Sequence, residues 1–410
     1  MKAKTEINLI PVLLGGDLNS YNAARAFHEK YGVVSHVFGR YAIGPTQNSR
    51  LIVNHIVPQM DSDDIMVTEL RNFADKNPDA AMILLGCTDD YATMIMRNKE
   101  RLEDRYICPY IAPELADRLV SKAVFYEMCD KYGIPYPKTK VLCRDYSEGD
   151  FEPEALGFDY PIIVKPSSSI DYWKHPFEGM KKVYVAENRE EAKKIVSDIY
   201  MSGYPDKMIL QDRIPGDDSN MYVLTAYSDK DGRAKMMCLG HVLLEEHTPK
   251  GLGNHAAIIT EYKPDLTERF RLMLDDLGYT GFSNFDIKYD RRDGSLRAFE
   301  INLRQGRSNF YITSAGINIA ELIVEDYIYN HELPFRECET EHLWHTIPFG
   351  VVKKYVHDKA LLCRAKSLKK AGKSKTSLFY GADLIGNPKR LFWVLMHLFR
   401  QYGKYKKYCK

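Results

Sequence analysis

The chain has 410 residues, of which 45% are hydrophobic and 28% charged, and its formal net charge is +1. This length and apolar content predict two to four lobes with apolar cores. The eight cysteines are scattered and include no C-x-x-C pair, which argues against disulfides and against a zinc site. The sequence shows no signal peptide and no apolar run near the ~18 residues that a membrane span needs, so we expect a cytoplasmic protein.

The first part of the chain alternates predicted strands and helices. Residues 8–14 form a predicted buried strand, residues 22–31 a helix, and residues 33–38 and 81–85 two further strands. This alternation predicts a parallel sheet. The turn Gly15-Gly16-Asp17 is not a G-x-G-x-x-G fingerprint, so we expect it either to line a substrate cleft or to be a purely structural turn.

A second unit is predicted to begin near Pro113. In chain order, its predicted elements are a helix at 116–132, strands at 161–166 and 182–186, a helix at 189–201, strands at 208–212, 221–228 and 235–244, a loop at 245–254, a hairpin over 281–304 and helical residues at 319–329.

The hairpin carries the most informative polar residues. Period-2 alternation puts Asp286 and Lys288 on one face of its first strand, and Glu300 and Asn302 on one face of its second. The oxygen side chains of Asp286, Glu300 and Asn302 then converge, as Mg²⁺ requires. The alternative is a solvated hairpin face. Because the flanking residues are apolar, we expect the acidic pair on the buried side, where it would need a cation.

Lys165 ends an apolar strand and precedes Ser167-Ser168-Ser169. A lysine beside a hydroxyl-rich loop suits an anionic phosphate, which needs a cation together with backbone and hydroxyl donors. The alternative is a structural lysine whose stem is buried and whose ammonium reaches solvent. Lys122, in the helix before Gly133, reads by itself as a surface lysine.

In this order, the pieces resemble the ATP-grasp superfamily from about Glu114 to Tyr329. The resemblance implies an α/β (α+β) ATP-grasp fold. The roles it implies are phosphate binding by Lys122, Lys165, Ser167, Ser168 and Ser169, a hinge around adenine at Gln211, Asp212 and Ile214, ribose binding by Asp218, and magnesium binding by Asp286, Glu300 and Asn302.

Two features depart from the family pattern. The loop after Lys165 is serine-rich rather than glycine-rich, so it would hold phosphates through hydroxyl groups more than through bare amides. Asn284 stands where many relatives have a basic residue, two positions before the first metal carboxylate. That departure removes one expected anion contact.

Two stretches, residues 210–222 and 300–309, are most similar to the D-aspartate ligases of bacterial cell-wall synthesis. That resemblance implies ATP and Mg²⁺ as cofactors, with Mn²⁺ as an alternative metal. It also implies activation of the side-chain carboxylate of D-aspartate as an acyl phosphate. An amine then displaces phosphate, and the expected amine is the stem-peptide lysine of a UDP-linked muramyl precursor. The alternatives are a ligase for another amino acid or dipeptide and a non-catalytic nucleotide-binding or surface-associated protein.

The reaction needs charge stabilisation rather than a protein nucleophile. Arg304 and Arg307 follow the expected metal ligands and are candidates to bind the carboxylate and brace the acyl phosphate; for Arg307, a helix cap or a surface ion pair is the alternative. The loop at 245–254 is a candidate lid, and Lys250 within it a candidate γ-phosphate contact. His247 and His255 are candidates to deprotonate the amine.

Residues 351–410 contain 16 Lys and Arg but only two acidic residues, a balance of +14 that leaves −13 for residues 1–350. The run 391–399, flanked by cations, predicts either a basic amphipathic helix on the inner face of a membrane or a helix docked on the acidic body. Nucleic-acid binding is disfavoured by that acidic body.

The predicted organisation has three domains: an N-terminal parallel-sheet pre-ATP-grasp lobe at 1–113, a two-subdomain ATP-grasp unit at 114–335 and a basic C-terminal extension at 336–410. The smaller subdomain is expected at about 114–215 and the larger at about 216–335. The expected partners are an amino acid, an amine acceptor and a second copy of the chain in a homodimer.

Overall fold

The computed structural model describes residues 7–249 and 251–409, except for the side chains of Ser169 and Ile170. The chain divides into two compact units. Unit 1 contains Met1–Pro113, Asp218–Asn284 and Asn302–Lys410, and unit 2 contains Glu114–Asp217 and Phe285–Ile301. The two units are discontinuous in sequence, whereas the three predicted domains are continuous. The boundaries of those domains stay a prediction.

The N-terminal part of unit 1 is built on a parallel sheet, as predicted. Its elements are β1 (Leu9–Leu14), α1 (Leu18–Tyr31), β2 (Ser35–Gly39), β3 (Ile52–Ile56), α2 (Asp63–Asp75), β4 (Ala81–Gly86) and α3 (Asp89–Arg97), followed by a 3₁₀ turn at Lys99–Arg101. The strand order is β3-β2-β1-β4. Helix α1 begins four residues earlier than predicted because the Asp17 side chain caps it, accepting a bond from the Asn19 backbone N–H.

Unit 2 contains a four-stranded antiparallel sheet of order β5-β8-β6-β7. The elements of this part of the chain are α4 (Pro113–Val120), α5 (Lys122–Tyr132), β5 (Thr139–Leu142), a 3₁₀ turn (Glu148–Phe151), α6 (Pro153–Leu156), β6 (Ile162–Pro166), α7 (Ser169–Trp173), β7 (Tyr184–Ala186), α8 (Arg189–Met201) and β8 (Met208–Asp212). The single helix predicted at 116–132 is wrong: Ser121 has extended backbone, so α4 ends before it and α5 begins after it.

The chain then forms the central strands of unit 1 and the hairpin. The elements are a 3₁₀ turn (Asp218–Asn220), β9 (Met221–Ser228), β10 (Ala234–Glu245), β11 (His255–Glu261), α9 (Pro264–Asp276), β12 (Gly281–Asp290), β13 (Ser295–Asn302), α10 (Phe310–Ser314), α11 (Ile319–Ile323) and a π-helical turn (Val324–Ile328). The hairpin strands cross between the two units, because the unit boundaries fall within β12 and β13.

The C-terminal residues extend unit 1. Their elements are β14 (Arg336–Glu337), β15 (Leu343–His345), α12 (Phe349–Tyr355), α13 (Lys359–Lys370), β16 (Ser374–Thr376), α14 (Gly381–Leu384) and α15 (Pro388–Tyr408). Strand β15 pairs with β11, and β16 pairs with β15. The basic C-terminal extension therefore contributes three short strands to a sheet of unit 1.

Candidate active site

Lys165 is the centre of a buried polar cluster in unit 2. It lies on β6 with a relative exposure of 5%. Its ammonium donates to the Tyr126 hydroxyl over 3.1 Å and to the Gln211 side-chain carbonyl over 3.0 Å. Burial lowers the pKa of Lys165 to about 8, against the opposing attraction of Glu300. The snorkelling alternative does not hold, because this ammonium is enclosed by the protein.

Glu300, on β13, is surrounded by ammonium groups of the same unit. The Lys122 ammonium lies 3.4 Å from its carboxylate and the Lys182 ammonium 3.9 Å. Burial raises the pKa of Glu300, but the attraction of Lys122, Lys182 and Lys165 outweighs it and lowers the pKa to about 2. Lys122 is itself 8% exposed, so it is not a surface lysine. Three cations around one carboxylate leave an excess of positive charge suited to an anionic ligand.

The serine-rich loop is folded onto itself. The Ser168 hydroxyl caps the short helix α7, accepting from the Asp171 backbone N–H and donating to the Asp171 carboxylate. The Ser167 hydroxyl lies 3.3 Å from that of Ser121. The expected role of the Ser169 side chain lies outside the described residues. Both described hydroxyl groups therefore already have protein partners.

The predicted adenine hinge follows β8. The Gln211 side-chain amide donates to the hydroxyl groups of Tyr126, over 2.8 Å, and Thr139, over 2.7 Å. Gln211 therefore holds Tyr126, which itself bonds Lys165, in place. The Asp212 carboxylate accepts two bonds from the Arg292 guanidinium, which also bonds Asp290. Because both side chains are committed to the protein, reading of a base here would fall to the backbone. Ile214, also in the hinge, is buried.

Asp218 belongs to unit 1 and is bonded to the loop between β10 and β11. Its carboxylate accepts from the Glu245 backbone N–H over 2.8 Å and pairs with His247 Nε2 at 2.7 Å. His255 is buried, and burial lowers its pKa to about 4. That shift makes His255 a poor acceptor for the proton of an amine. Lys250 lies outside the described residues.

The two candidate arginines of unit 1 have different partners. Arg304 Nε lies 2.7 Å from the carboxylate of Asp89, whose side chain is 67% exposed. Arg307 lies 2.9 Å from Glu246 and 3.4 Å from Asp17, which are 18% and 29% exposed. Burial opposes the charge of Arg307, but these carboxylates raise its pKa. Its guanidinium is thus held by two partly buried carboxylates, one of which, Asp17, is the N-cap of α1.

The predicted metal ligands occupy one face of the hairpin. Asp286, Glu300 and Asn302 are partly exposed, whereas the alternating neighbours, Phe285, Ile287, Ile301 and Leu303, are buried. The acidic side chains thus share the face opposite these apolar neighbours, and Glu300 is 22% exposed there.

The donor set still fits Mg²⁺ in part. Among residues 7–249 and 251–409, no three His, Cys, Asp or Glu side chains form a metal-holding group. A cation here would therefore depend on the Asn302 amide oxygen and on nucleotide phosphates, in addition to the ionised Glu300. Magnesium commonly keeps such external oxygen ligands.

Sequence reasoning missed several partners in the cluster. Tyr126 accepts from Lys165 and donates to the Phe299 carbonyl over 3.1 Å, yet a tyrosine inside an amphipathic helix carries no distinctive signal. Arg292, the partner of Asp212, lies in the hairpin turn, where an arginine carries no distinctive signal. Lys182 was visible as a lysine at the start of the return strand after Lys165, which is the one usable signal.

No family model matches the sequence. The chain is 39% identical over 411 residues to a D-aspartate ligase of Enterococcus faecium (strain Aus0004), covering 97% of this chain and 96% of that protein.

Two solved structures share the fold at low sequence identity. An L-amino acid ligase from Bacillus licheniformis matches with a TM-score of 0.53 and 14% identity, over 78% of this chain and 75% of its own. The biotin carboxylase domain of the Hydrogenobacter thermophilus 2-oxoglutarate carboxylase, solved with MgADP, ADP and bicarbonate, matches with a TM-score of 0.57 and 14% identity, over 80% and 71%. The predicted ATP-grasp fold is confirmed, and the chain belongs to the D-aspartate ligase family of ATP-dependent carboxylate–amine ligases.

Proposed function

We propose that this protein uses ATP to activate the side-chain carboxylate of D-aspartate and joins it to the ε-amine of the stem-peptide lysine in a UDP-linked peptidoglycan precursor. The observation that carries the proposal is the 39% identity over nearly the full length of both chains.

The ammonium cluster of unit 2 supports a role in nucleotide binding. Lys122 and Lys165 would hold the phosphates of ATP, and Lys182 would add a third positive charge. For the buried Lys122 and Lys165, the low local dielectric constant strengthens the attraction to an anion. Tyr126 and Gln211 keep the Lys165 ammonium in one place, so little reorganisation is needed when phosphate binds.

Glu300, Asn302 and Asp286 would hold Mg²⁺, with Mn²⁺ as an alternative metal. Bound there, the cation would neutralise charge on the transferring phosphoryl group. Glu300 fits this role because it is ionised at neutral pH, with a pKa lowered to about 2.

The proposed reaction has two steps. An oxygen of the amino-acid carboxylate attacks the γ-phosphorus of ATP, forming an acyl phosphate as the bond to ADP breaks. The amine nitrogen then attacks the acyl carbon, the acyl–oxygen bond to phosphate breaks, and the nitrogen loses a proton. Arg304 is the better candidate to bind the substrate carboxylate. Its partner Asp89 is exposed, so Arg304 can exchange this weak surface ion pair for a bond to the substrate.

We further propose a cytoplasmic protein that contacts the inner face of the membrane through residues 389–410 and forms a homodimer. Sedimentation equilibrium of the purified protein tests whether it is a dimer.

The test is ADP release by purified protein with ATP and Mg²⁺, across a panel of D- and L-amino acids, with and without the UDP-linked lysine-containing muramyl pentapeptide. We expect release that requires both D-aspartate and the pentapeptide. Turnover with another acid would overturn the choice of D-aspartate but keep the ligase. ATP binding without turnover on any acid would overturn the ligase.

A matched pair of variants localises the activity. Glu300→Gln removes the charge at the centre of the cation cluster, and we expect it to abolish turnover. Glu148→Gln is the control, because Glu148 is a 77% exposed carboxylate of the same unit, paired with Lys193. Loss of activity in both variants would argue against a specific role for Glu300.

A further inference from the structure

Helix α15 has one face built into unit 1. Arg390, Val394, Gln401 and Tyr405 are buried along it, at intervals that place them on one side of a helix. Arg390 is fully buried and pairs with the fully buried Asp383 at 2.9 Å. The Tyr405 hydroxyl donates to the Glu245 carbonyl over 2.6 Å. These contacts fix which side of the helix points outward.

The outward side carries an apolar stripe. Phe392 is 68% exposed, Leu395 49%, Phe399 71% and Tyr402 45%. Their spacing of three and four residues aligns them on the side opposite the buried residues. A row of large apolar side chains along one helix is unusual on a protein surface and indicates an interaction site.

The same helix has cations and no acidic residue. Between Pro388 and Tyr408 there is no Asp or Glu, and the exposed cations are Lys389, Arg400, Lys404, Lys406 and Lys407. An apolar stripe flanked by lysine and arginine is the pattern of helices that lie in the plane of a membrane interface. No helix of the described residues is long and apolar enough to cross a membrane.

We infer, in extension of the membrane contact proposed above, that the outer face of α15 docks on the surface of an anionic phospholipid bilayer. Phe392, Leu395 and Phe399 enter the interface, while the flanking cations contact lipid phosphates. The charge of the helix distinguishes a lipid surface from a second copy of the chain as the binding partner. In a symmetric interface with a second copy, the same patch would face itself and bring these cations against their own copies. An anionic lipid surface complements them instead.

The experiment is sedimentation of the full-length protein with sucrose-loaded vesicles, either pure phosphatidylcholine or containing 30 mol% phosphatidylglycerol. We expect at least fivefold more protein bound to the anionic vesicles at about 0.1 M salt. Binding should fall at about 0.5 M salt, because the charge attraction is screened. Equal binding to both vesicle types, or none to either, would overturn the inference.

The variant Phe392→Ser/Phe399→Ser removes the two most exposed aromatic rings of the stripe, and we expect it to lose most vesicle binding. Its control is Tyr262→Ser/Leu272→Ser, which removes two side chains, 48% and 49% exposed, outside α15. ATP turnover in solution should be the same in both. If the Phe392→Ser/Phe399→Ser protein instead changes from dimer to monomer in sedimentation equilibrium while vesicle binding persists, the stripe is a subunit interface and the inference fails.

Discussion

At the scale of single residues, the ammonium of Lys165 is the most constrained charge in the candidate site. Its 5% exposure disfavours the charged form, and the Tyr126 and Gln211 oxygens compensate by accepting bonds from it. The balance leaves a pKa of about 8. A lysine with this pKa changes charge within the pH range of ordinary enzyme assays.

The first prediction concerns pH. Lys165 holds its proton below pH 8 and loses it above, so the attraction to phosphate should weaken as pH rises. We expect the Kd for ATP to be constant from pH 6.5 to 7.5 and to increase by about tenfold per pH unit well above pH 8. Equilibrium titration with ATP and Mg²⁺ measures this. A Kd that stays flat to pH 9.5 would contradict it.

The second prediction separates positioning from packing. Tyr126→Phe keeps the ring, which is stacked on Tyr136 with centroids 5.0 Å apart, but removes the acceptor beside Lys165. A hydrogen bond to a charged group contributes about 1.5–3 kcal/mol. We therefore expect the rise in Kd to begin at least about one pH unit lower.

Tyr136→Phe is the control for this variant. The Tyr136 hydroxyl bonds only the surface carboxylate of Asp130 among the described contacts, at 2.9 Å. Its pH profile should match that of the unmodified protein. An unshifted profile for Tyr126→Phe would mean that the tyrosine serves only to pack.

At the scale of elements, a buried ion pair attaches α15 to the rest of unit 1. The fully buried Asp383 carboxylate accepts from Arg390, from the Tyr21 hydroxyl at 2.9 Å, from the Ser49 hydroxyl at 2.8 Å and from the Arg50 backbone N–H at 2.8 Å. One side chain thus connects α14, α15, α1 and the segment before β3.

The third prediction follows from that connection. Asp383→Ala leaves the Arg390 guanidinium buried without its charge partner, which typically costs about 3–5 kcal/mol. We expect a loss of this size in the free energy of unfolding, measured by urea denaturation. Asp104→Ala, which breaks the exposed pair with Arg71, should have a much smaller effect. Similar losses in the two variants would refute the assignment.

Periodicity predicted the elements it describes well. The buried strands β1, β4, β6 and β8 are short apolar runs, and α8 has an Asn188 cap. The sequence missed β3, with its polar Asn54 and His55, and β11, which follows a loop directly. A single helix was predicted for α4 and α5 because the break between them, at Ser121, contains no Gly or Pro that would have marked it.

The candidate site was predictable where a residue type has a distinctive position. Lys165 at a strand end and Glu300 two residues before Asn302 are of this kind. The partners of the site residues were not predictable, because Tyr126 contacts Lys165, and Arg292 contacts Asp212 in the hinge, through tertiary contacts that no local pattern records. Alternation also predicted that Asp286, Glu300 and Asn302 share one face of the hairpin, opposite Phe285, Ile287 and Ile301.

At the scale of the whole molecule, the eight cysteines are free thiols in the structure. Cys143 and Cys363 are exposed, Cys409 is partly buried, and the other five are buried. The fourth prediction is that a thiol reagent such as DTNB reacts quickly with two or three groups in the native protein and with eight after denaturation. A total below eight in freshly purified, unreduced protein would reveal a disulfide.

The crossings of the chain between its two units have a consequence for recombination between related genes. Unit 2 is encoded by two separate segments, Glu114–Asp217 and Phe285–Ile301. An exchange of the first segment alone would bring in a new Lys122 and Lys165 but keep the old Glu300, and its ion pair with Lys122 would join residues of different ancestry. Chimeras of this family should therefore inherit both segments from one parent, and crossovers between residues 217 and 285 should be rare among natural sequences.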